Sequence, residues 1–310
     1  MSRLLGPEDT AGRLPYTRLA QEIRTLLADP TVHVPVRLVQ ALAGGGSLFV
    51  MPAHDSRIAI AKLITFTPAN AGSGRPAIQG DVVVFDTATG ERLLVLDGPT
   101  VTARRTAAVS LLAAQLLAPT REGPLLVIGA GAQGRAHLDA FVEGMGVREA
   151  VIASRSAASA NALAIHARSL GIKVSVVEDP NGALAQCPLV VTCTPANGVV
   201  LDALPRPDTF IAAVGAFTPQ MVELGAALCR HCATGGSVVL DTRDGDHEAG
   251  DLLQAELDVS RFPTLRDIVG NNLPRPRGPV LFKSCGWAGW DLAAARLAVS
   301  APAPLTPSAA

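Results

Sequence analysis

The sequence predicts an α/β protein in which a doubly wound parallel sheet is joined to an α+β unit built on an antiparallel sheet. Three observations carry that prediction. Four β-type runs follow one another between residues 47 and 97 with no helix among them. From Pro124 onward, short apolar runs alternate with helical segments. The composition is that of a folded chain: 310 residues, 48% hydrophobic, 17% charged, with 29 glycines. So apolar and weakly charged a chain buries enough surface to fold, and at about 150 residues per domain its length suggests two domains.

The elements follow in order. Leu19, Ile23, Leu26 and Leu27 recur at helical spacing after Pro15 and predict an amphipathic helix. Ser47–His54, Ile58–Phe66, Asp81–Thr87 and Arg92–Asp97 read as strands, separated by the Gly/Pro/Asn/Ser stretch 67–76 and the turn Thr87-Ala88-Thr89-Gly90. Strands joined by short turns pair antiparallel. Thr100 is placed to cap a long Ala/Leu helix that Pro119 stops near Ala118. Leu125–Gly129, Ala150–Ser154, Val174–Val177, Leu189–Thr194, Phe210–Gly215 and Ser237–Asp241 are apolar on both faces, as parallel strands covered by helices are. A final helix spans 288–299. The predicted domains are 1–118 with 288–310, and 119–287. The Pro/Ala-rich stretch after Ala301 predicts a frayed terminus.

Composition excludes several function classes. A net charge of −1 gives no basic footprint for nucleic acid, and 4% aromatic residues provide no base-stacking platform. No run approaches the roughly 18 apolar residues of a membrane span. Glu8 and Asp9 arrive before any apolar run of signal-peptide length, and five cysteines is an odd number. The expectation is a cytoplasmic protein with reduced thiols. Cys229-Arg230-His231-Cys232 lacks a second ligand pair, so it reads as buried thiols and no metal site is expected. The acidic stretch 241–248 reads as a polar loop with a helix cap.

Gly129-Ala130-Gly131-Ala132-Gln133-Gly134 fits GxGxxG between a strand and a helix, the Rossmann dinucleotide signature. Gly129, Gly131 and Gly134 supply the turn and the close backbone approach. Ala132 and Gln133 open a helix whose N-terminus attracts a pyrophosphate. The next strand ends in Ser154-Arg155-Ser156 with no acid, a set suited to a 2′-phosphate. The cofactor is therefore expected to be NADPH, with NADH the alternative.

On the other unit, Lys62 interrupts Ile58-Ala59-Ile60-Ala61-Lys62-Leu63-Ile64, and Arg104-Arg105 sits in an apolar helix. Buried cations need anionic partners. Arg37, Lys62 and Arg105 either converge on a carboxylate or form three structural salt bridges, and pattern alone does not choose between them.

Met51-Pro52-Ala53, Lys62-Leu63-Ile64, Thr102-Ala103-Arg104-Arg105-Thr106-Ala107-Ala108, the glycine turn and Leu281-Phe282-Lys283-Ser284 together resemble the ornithine cyclodeaminase/mu-crystallin family over nearly the whole chain. The resemblance implies a homodimer associating through its antiparallel-sheet domains and a last helix returning to the first domain. It implies a substrate carboxylate held by Arg37, Lys62 and Arg105, and further cofactor contacts from Thr194-Pro195, Val214 and Lys283-Ser284. Cyclodeaminases of this family carry an Asp just after the fifth Rossmann strand. Here Val214-Gly215-Ala216-Phe217-Thr218-Pro219 places Phe217 there, and an apolar ring moves no proton. The variant is similar to bacterial reductases of Δ1-pyrroline-2-carboxylate and Δ1-piperideine-2-carboxylate, which make L-proline and L-pipecolate. The expected activity is NADPH-dependent reduction of a small cyclic imine carboxylate. Lys62 is expected to donate the proton or to position a donor water, with His54 second; Phe217 forms an apolar wall, and no acidic group is expected near the cations. Alanine dehydrogenase, ornithine cyclodeaminase and a non-catalytic NADP-dependent ligand binder are the alternatives. Ring size stays open, since one methylene is worth only about 1–3 kcal/mol.

Overall fold

Two large sheets, each with its own burial rhythm, divide the chain, and a two-stranded parallel sheet, Asn197–Leu201 with Val222–Leu224, adjoins the second. The computed structural model describes residues 3–70, 73–195, 197–271 and 275–301, and the Pro/Ala-rich stretch 302–310 lies outside the described residues. The first part comprises β1 (Arg3–Leu4), α1 (Pro7–Arg13), α2 (Tyr16–Ala28), β2 (Leu38–Ala41), β3 (Ser47–His54), β4 (Ile58–Phe66), β5 (Ile78–Asp86), β6 (Arg92–Asp97) and α3 (Gly98–Leu117). Its six strands lie in the order β1-β6-β5-β4-β3-β2. Strands β3 to β6 pair antiparallel as predicted, while two edge strands that the sequence pattern does not reveal complete the sheet: β1 adds a two-residue parallel edge on β6, and β2 an antiparallel one on β3.

In β4 the period of two is plain. Ile58, Ile60, Lys62 and Ile64 face inward and are buried, whereas Leu63 on the outer face is 43% exposed. The register aligns Met51, Lys62 and Val82 in one inward row, and Leu38, Val50 and Leu63 in an outward one. The long helix α3 starts earlier than expected. Asp97, not Thr100, is its cap: the Asp97 carboxylate accepts the Thr100 N–H at 2.8 Å. Pro99 has no N–H to satisfy, so it fits the first turn and sets the start.

The second part contains β7 (Leu125–Ile128), α4 (Ala132–Met145), β8 (Glu149–Ala153), α5 (Ala157–Ser169), β9 (Lys173–Val177), α6 (Pro180–Leu184), β10 (Leu189–Thr192), β11 (Asn197–Leu201), β12 (Phe210–Ala213), β13 (Val222–Leu224), α7 (Ala226–Gly235), β14 (Ser237–Leu240), α8 (Gly245–Glu248), α9 (Gly250–Leu253), α10 (Leu265–Asn271) and β15 (Val280–Lys283). Seven strands form an all-parallel sheet, β14-β15-β12-β10-β7-β8-β9. Its strand order reverses between β7 and β10, the switch point at which such sheets bind ligands. Alternate residues of each strand enter two cores. Leu125 and Val127 join the core shared with the first part, and Leu126 and Ile128 join one on the far face. That double burial explains the unbroken apolar runs. Strand β15, not recognised as a strand from sequence, inserts between β12 and β14.

Helix α11 (Ala288–Ser300) returns to the first part and packs against α2, α3, β3 and β4, while α3 also touches α4, β12 and β15. Arg296 anchors α11. It pairs with Asp29 at 2.5 Å, with Asp55, and with Glu22 at 3.6 Å. Arg13 adds bonds to the carbonyls of Ala298 and Ala301. Among the described residues no helix is long and apolar enough to cross a membrane.

Candidate active site

The glycine turn lies at the switch point. Gly129 has φ +108°, and a Cβ there would sit 2.8 Å from the Cys193 carbonyl. A Cβ on Gly134 would lie 1.9 Å from the Gly129 carbonyl oxygen. Gly131 differs: a Cβ there would meet nothing within 4 Å, and no side chain caps the helix it opens. Open space in front of an uncapped 14-residue helix fits a dinucleotide pyrophosphate. Ala132 and Gln133 form the first turn of α4, with the Gln133 side chain against the Thr102 carbonyl of α3. At the end of β8, Arg155 is exposed, and Ser156 caps α5 by accepting the Ser159 N–H at 3.2 Å.

Across from this turn, β4, α3 and α11 bring three charges together. Lys62 Nζ donates to Asp291 Oδ1 at 2.9 Å, and Arg105 Nε lies 3.4 Å from the same oxygen. Lys62 and Asp291 have no exposed side-chain surface, and the Arg105 side chain keeps 9%. Burial pushes the Lys62 pKa down to about 8; Asp291 opposes the shift and Arg105 adds to it. The Arg105 guanidinium abuts Gly286, in the loop leaving β15. The cluster therefore sits where the carboxyl end of the parallel sheet meets the inner face of the antiparallel one. Its neighbour Arg104 points away, stacked 3.9 Å over the Tyr16 ring.

Asp291 corrects the expectation that no acid lies near these cations. Arg37 does not pair with Asp291; its partner is Glu248 on α8, across the two parts. Burial pushes the Glu248 carboxyl upward, and Arg37 opposes that shift. His54 is exposed, ring-to-ring at 5.2 Å with His33. Strand alternation puts it on the opposite face of β3 from Met51, and so away from Lys62.

A second buried network holds the loop containing Val214 and Phe217. The Glu223 carboxylate accepts the N–H of Thr194 at 2.6 Å and of Gly215 at 2.7 Å, together with the Thr192 and Thr194 hydroxyls. Thr194 and its neighbour Pro195 are thus fixed beside the switch point. Lys283, fully buried, donates to the Ala216 carbonyl and to Asp251, and Ser284 donates to Asp241 at 2.7 Å. Phe217 is half-buried against the far core. Glu223 and Asp291 escaped sequence reasoning, although Glu223 interrupts an apolar run just as Lys62 does. All five cysteines are free, and burial pushes Cys232 up to about 12.

Residues 17–300 match the ornithine cyclodeaminase/mu-crystallin family. Δ1-Pyrroline-2-carboxylate reductase 1 of Burkholderia multivorans is 38% identical over 295 residues, covering 94% of this chain and 93% of that protein. A Δ1-pyrroline-2-carboxylate/Δ1-piperideine-2-carboxylate reductase of Azospirillum brasilense is 36% identical over 293 residues, with coverage of 94% and 93%. The structure of the Thermococcus litoralis Δ1-pyrroline-2-carboxylate reductase with NADH and L-proline is similar at TM-score 0.87 and 25% identity, covering 96% of each chain. With the match spanning nearly every residue described, the chain belongs to the ornithine cyclodeaminase/mu-crystallin family.

Proposed function

We propose that this chain reduces Δ1-pyrroline-2-carboxylate and Δ1-piperideine-2-carboxylate to L-proline and L-pipecolate with NADPH. It is an NAD(P)H-dependent imine reductase, in keeping with relatives named as reductases of these imines. One observation carries the substrate reading. Lys62 and Arg105 set two positive charges against the single carboxylate of Asp291, leaving the buried cluster at +1. A buried net charge attracts one counter-ion, and the substrate carboxylate is that ion. Arg105, with surface still exposed, receives it first.

When bound, the reduced nicotinamide supplies hydride to C2 of the imine. Lys62 gives a proton to the imine nitrogen, whose lone pair forms the new N–H bond. A buried ammonium with its pKa near 8 is well matched to that role. Phe217 walls the flat ring, and the Glu223 network holds Thr194 and Gly215 in place. The α4 N-terminus holds the pyrophosphate, while Arg155 and Ser154 hold the 2′-phosphate. The outward row Leu38, Val50 and Leu63, with Leu38 58% exposed, gives the homodimer an apolar face to bury. Free thiols suit a cytoplasmic site of action.

A spectrophotometric panel of cyclic imines and 2-oxo acids against both coenzymes tests the reading. Rapid NADPH oxidation with the two imines is expected, and turnover of pyruvate with ammonia instead would replace it with alanine dehydrogenation. Arg155→Ala is expected to raise KM for NADPH about tenfold or more and to leave NADH unaffected, since a charge-assisted phosphate contact is worth about 1.5–3 kcal/mol. Gly134→Ala drives a methyl into the Gly129 carbonyl. Fluorescence titration should then show weaker binding of both coenzymes, and thermal melting a lower midpoint, because the atom displaced is backbone.

A further inference from the structure

We propose that Asp291 is the positioning residue that keeps the Lys62 ammonium charged and aimed at the substrate nitrogen. The inference rests on the imine-reductase reading above. Asp291 sits in the first turn of α11, where the helix dipole favours an anion. Its carboxylate has no exposed surface, and a single oxygen, Oδ1, faces both Lys62 Nζ and Arg105 Nε. The other oxygen, Oδ2, is buried without a partner. One-point contact directs one ammonium proton at the acid and leaves the other two for substrate.

The charged groups acting on Lys62 are Asp291 on α11 and Arg105 on α3. Its row neighbours, Met51 on β3 and Val82 on β5, are uncharged. Burial and Arg105 both disfavour the ammonium, so Asp291 alone opposes its discharge. The helix carrying Asp291 is held at its far end by Arg296 and Arg13, and Trp290 beside it is fully buried. The acid is thus a fixed counter-charge. This arrangement gives the enzyme a buried carboxylate without placing it at position 217, beside the ring.

The chain has only three lysines, Lys62, Lys173 and Lys283. Protein labelled with ¹⁵N at lysine therefore yields three Nζ resonances, assigned by substitution, and Lys62 is titrated by NMR in wild type and in Asp291→Asn. In parallel, kcat/KM for Δ1-piperideine-2-carboxylate is followed against pH. The expected result is a Lys62 midpoint at least one pH unit lower in Asp291→Asn. The alkaline limb of kcat/KM should fall by the same interval, with activity restored as pH is lowered. Asp291→Glu should recover most of both properties, and it serves if the Asn variant folds poorly. An unmoved Lys62 midpoint overturns the proposal. So does a midpoint that moves while the alkaline limb stays in place. Should wild type reduce no cyclic imine, the functional reading falls, and the midpoint comparison alone decides whether Asp291 holds Lys62 charged.

Discussion

Lys62→Met is expected to lower kcat/KM for Δ1-piperideine-2-carboxylate by about 10²–10⁴-fold, the usual worth of a positioned general acid. Methionine fits the position: it is close to lysine in length, and Met51 and Val82 flank it in the sheet. The substitution also removes one of the two cations facing Asp291, so the cluster falls from +1 to neutral and loses its pull on the substrate carboxylate. Both kcat and KM should therefore deteriorate. NADPH oxidation measured alongside thermal melting separates lost chemistry from lost fold. Turnover at the wild-type rate would remove Lys62 from the reaction.

Arg296→Met, a change away from the cluster, should destabilise the fold strongly. Arg296 has 4% of its side chain exposed, and it holds the carboxylates of Asp55 and Asp29, 1% and 25% exposed. Removing the cation strands an acid in the core, at a cost of roughly 3–5 kcal/mol. At about 2–4 °C per kcal/mol for a domain of 150–250 residues, Tm should drop by on the order of 10 °C. Acid dependence offers a second check. Bonds from Thr31, with Arg296 adding, hold Asp29 down to about 2. Asp55 is also depressed: burial pushes it up, but the Ile58 and Arg57 N–H groups and Arg296 outweigh that. Carboxyls lowered by folding contribute stability above pH ~4 and lose it as pH falls towards 2. The stability gap between wild type and Arg296→Met should narrow across that interval, as measured by denaturant unfolding.

What the sequence made legible was local. The glycines of the turn are dictated by contacts within a few residues, so Gly129 and Gly134 stand where the motif demands. Lys62 stood out because a charge breaks a two-residue alternation, and both its burial and its meeting with Arg105 follow. Asp291 did not stand out. One acid near the start of a helix is ordinary, and its partner lies 229 residues away. Arg37 looked like part of the cationic set, but its partner Glu248 lay in a loop whose acids looked solvent-bound. Strand β15 was hidden for another reason: it follows a Pro/Arg/Gly-rich stretch and ends in a lysine, so it lacks the wholly apolar run that marks β7 or β12.

Helix α11 completes the first core only after the entire nucleotide-binding segment has been made. A ribosome that has released residues 1–118 has produced a sheet that α3 covers only in part and whose buried lysine lacks its counter-charge. Residues 1–118 alone are therefore expected to fold less stably than the same segment closed by α11, because the contacts that complete this core come from the far end of the chain.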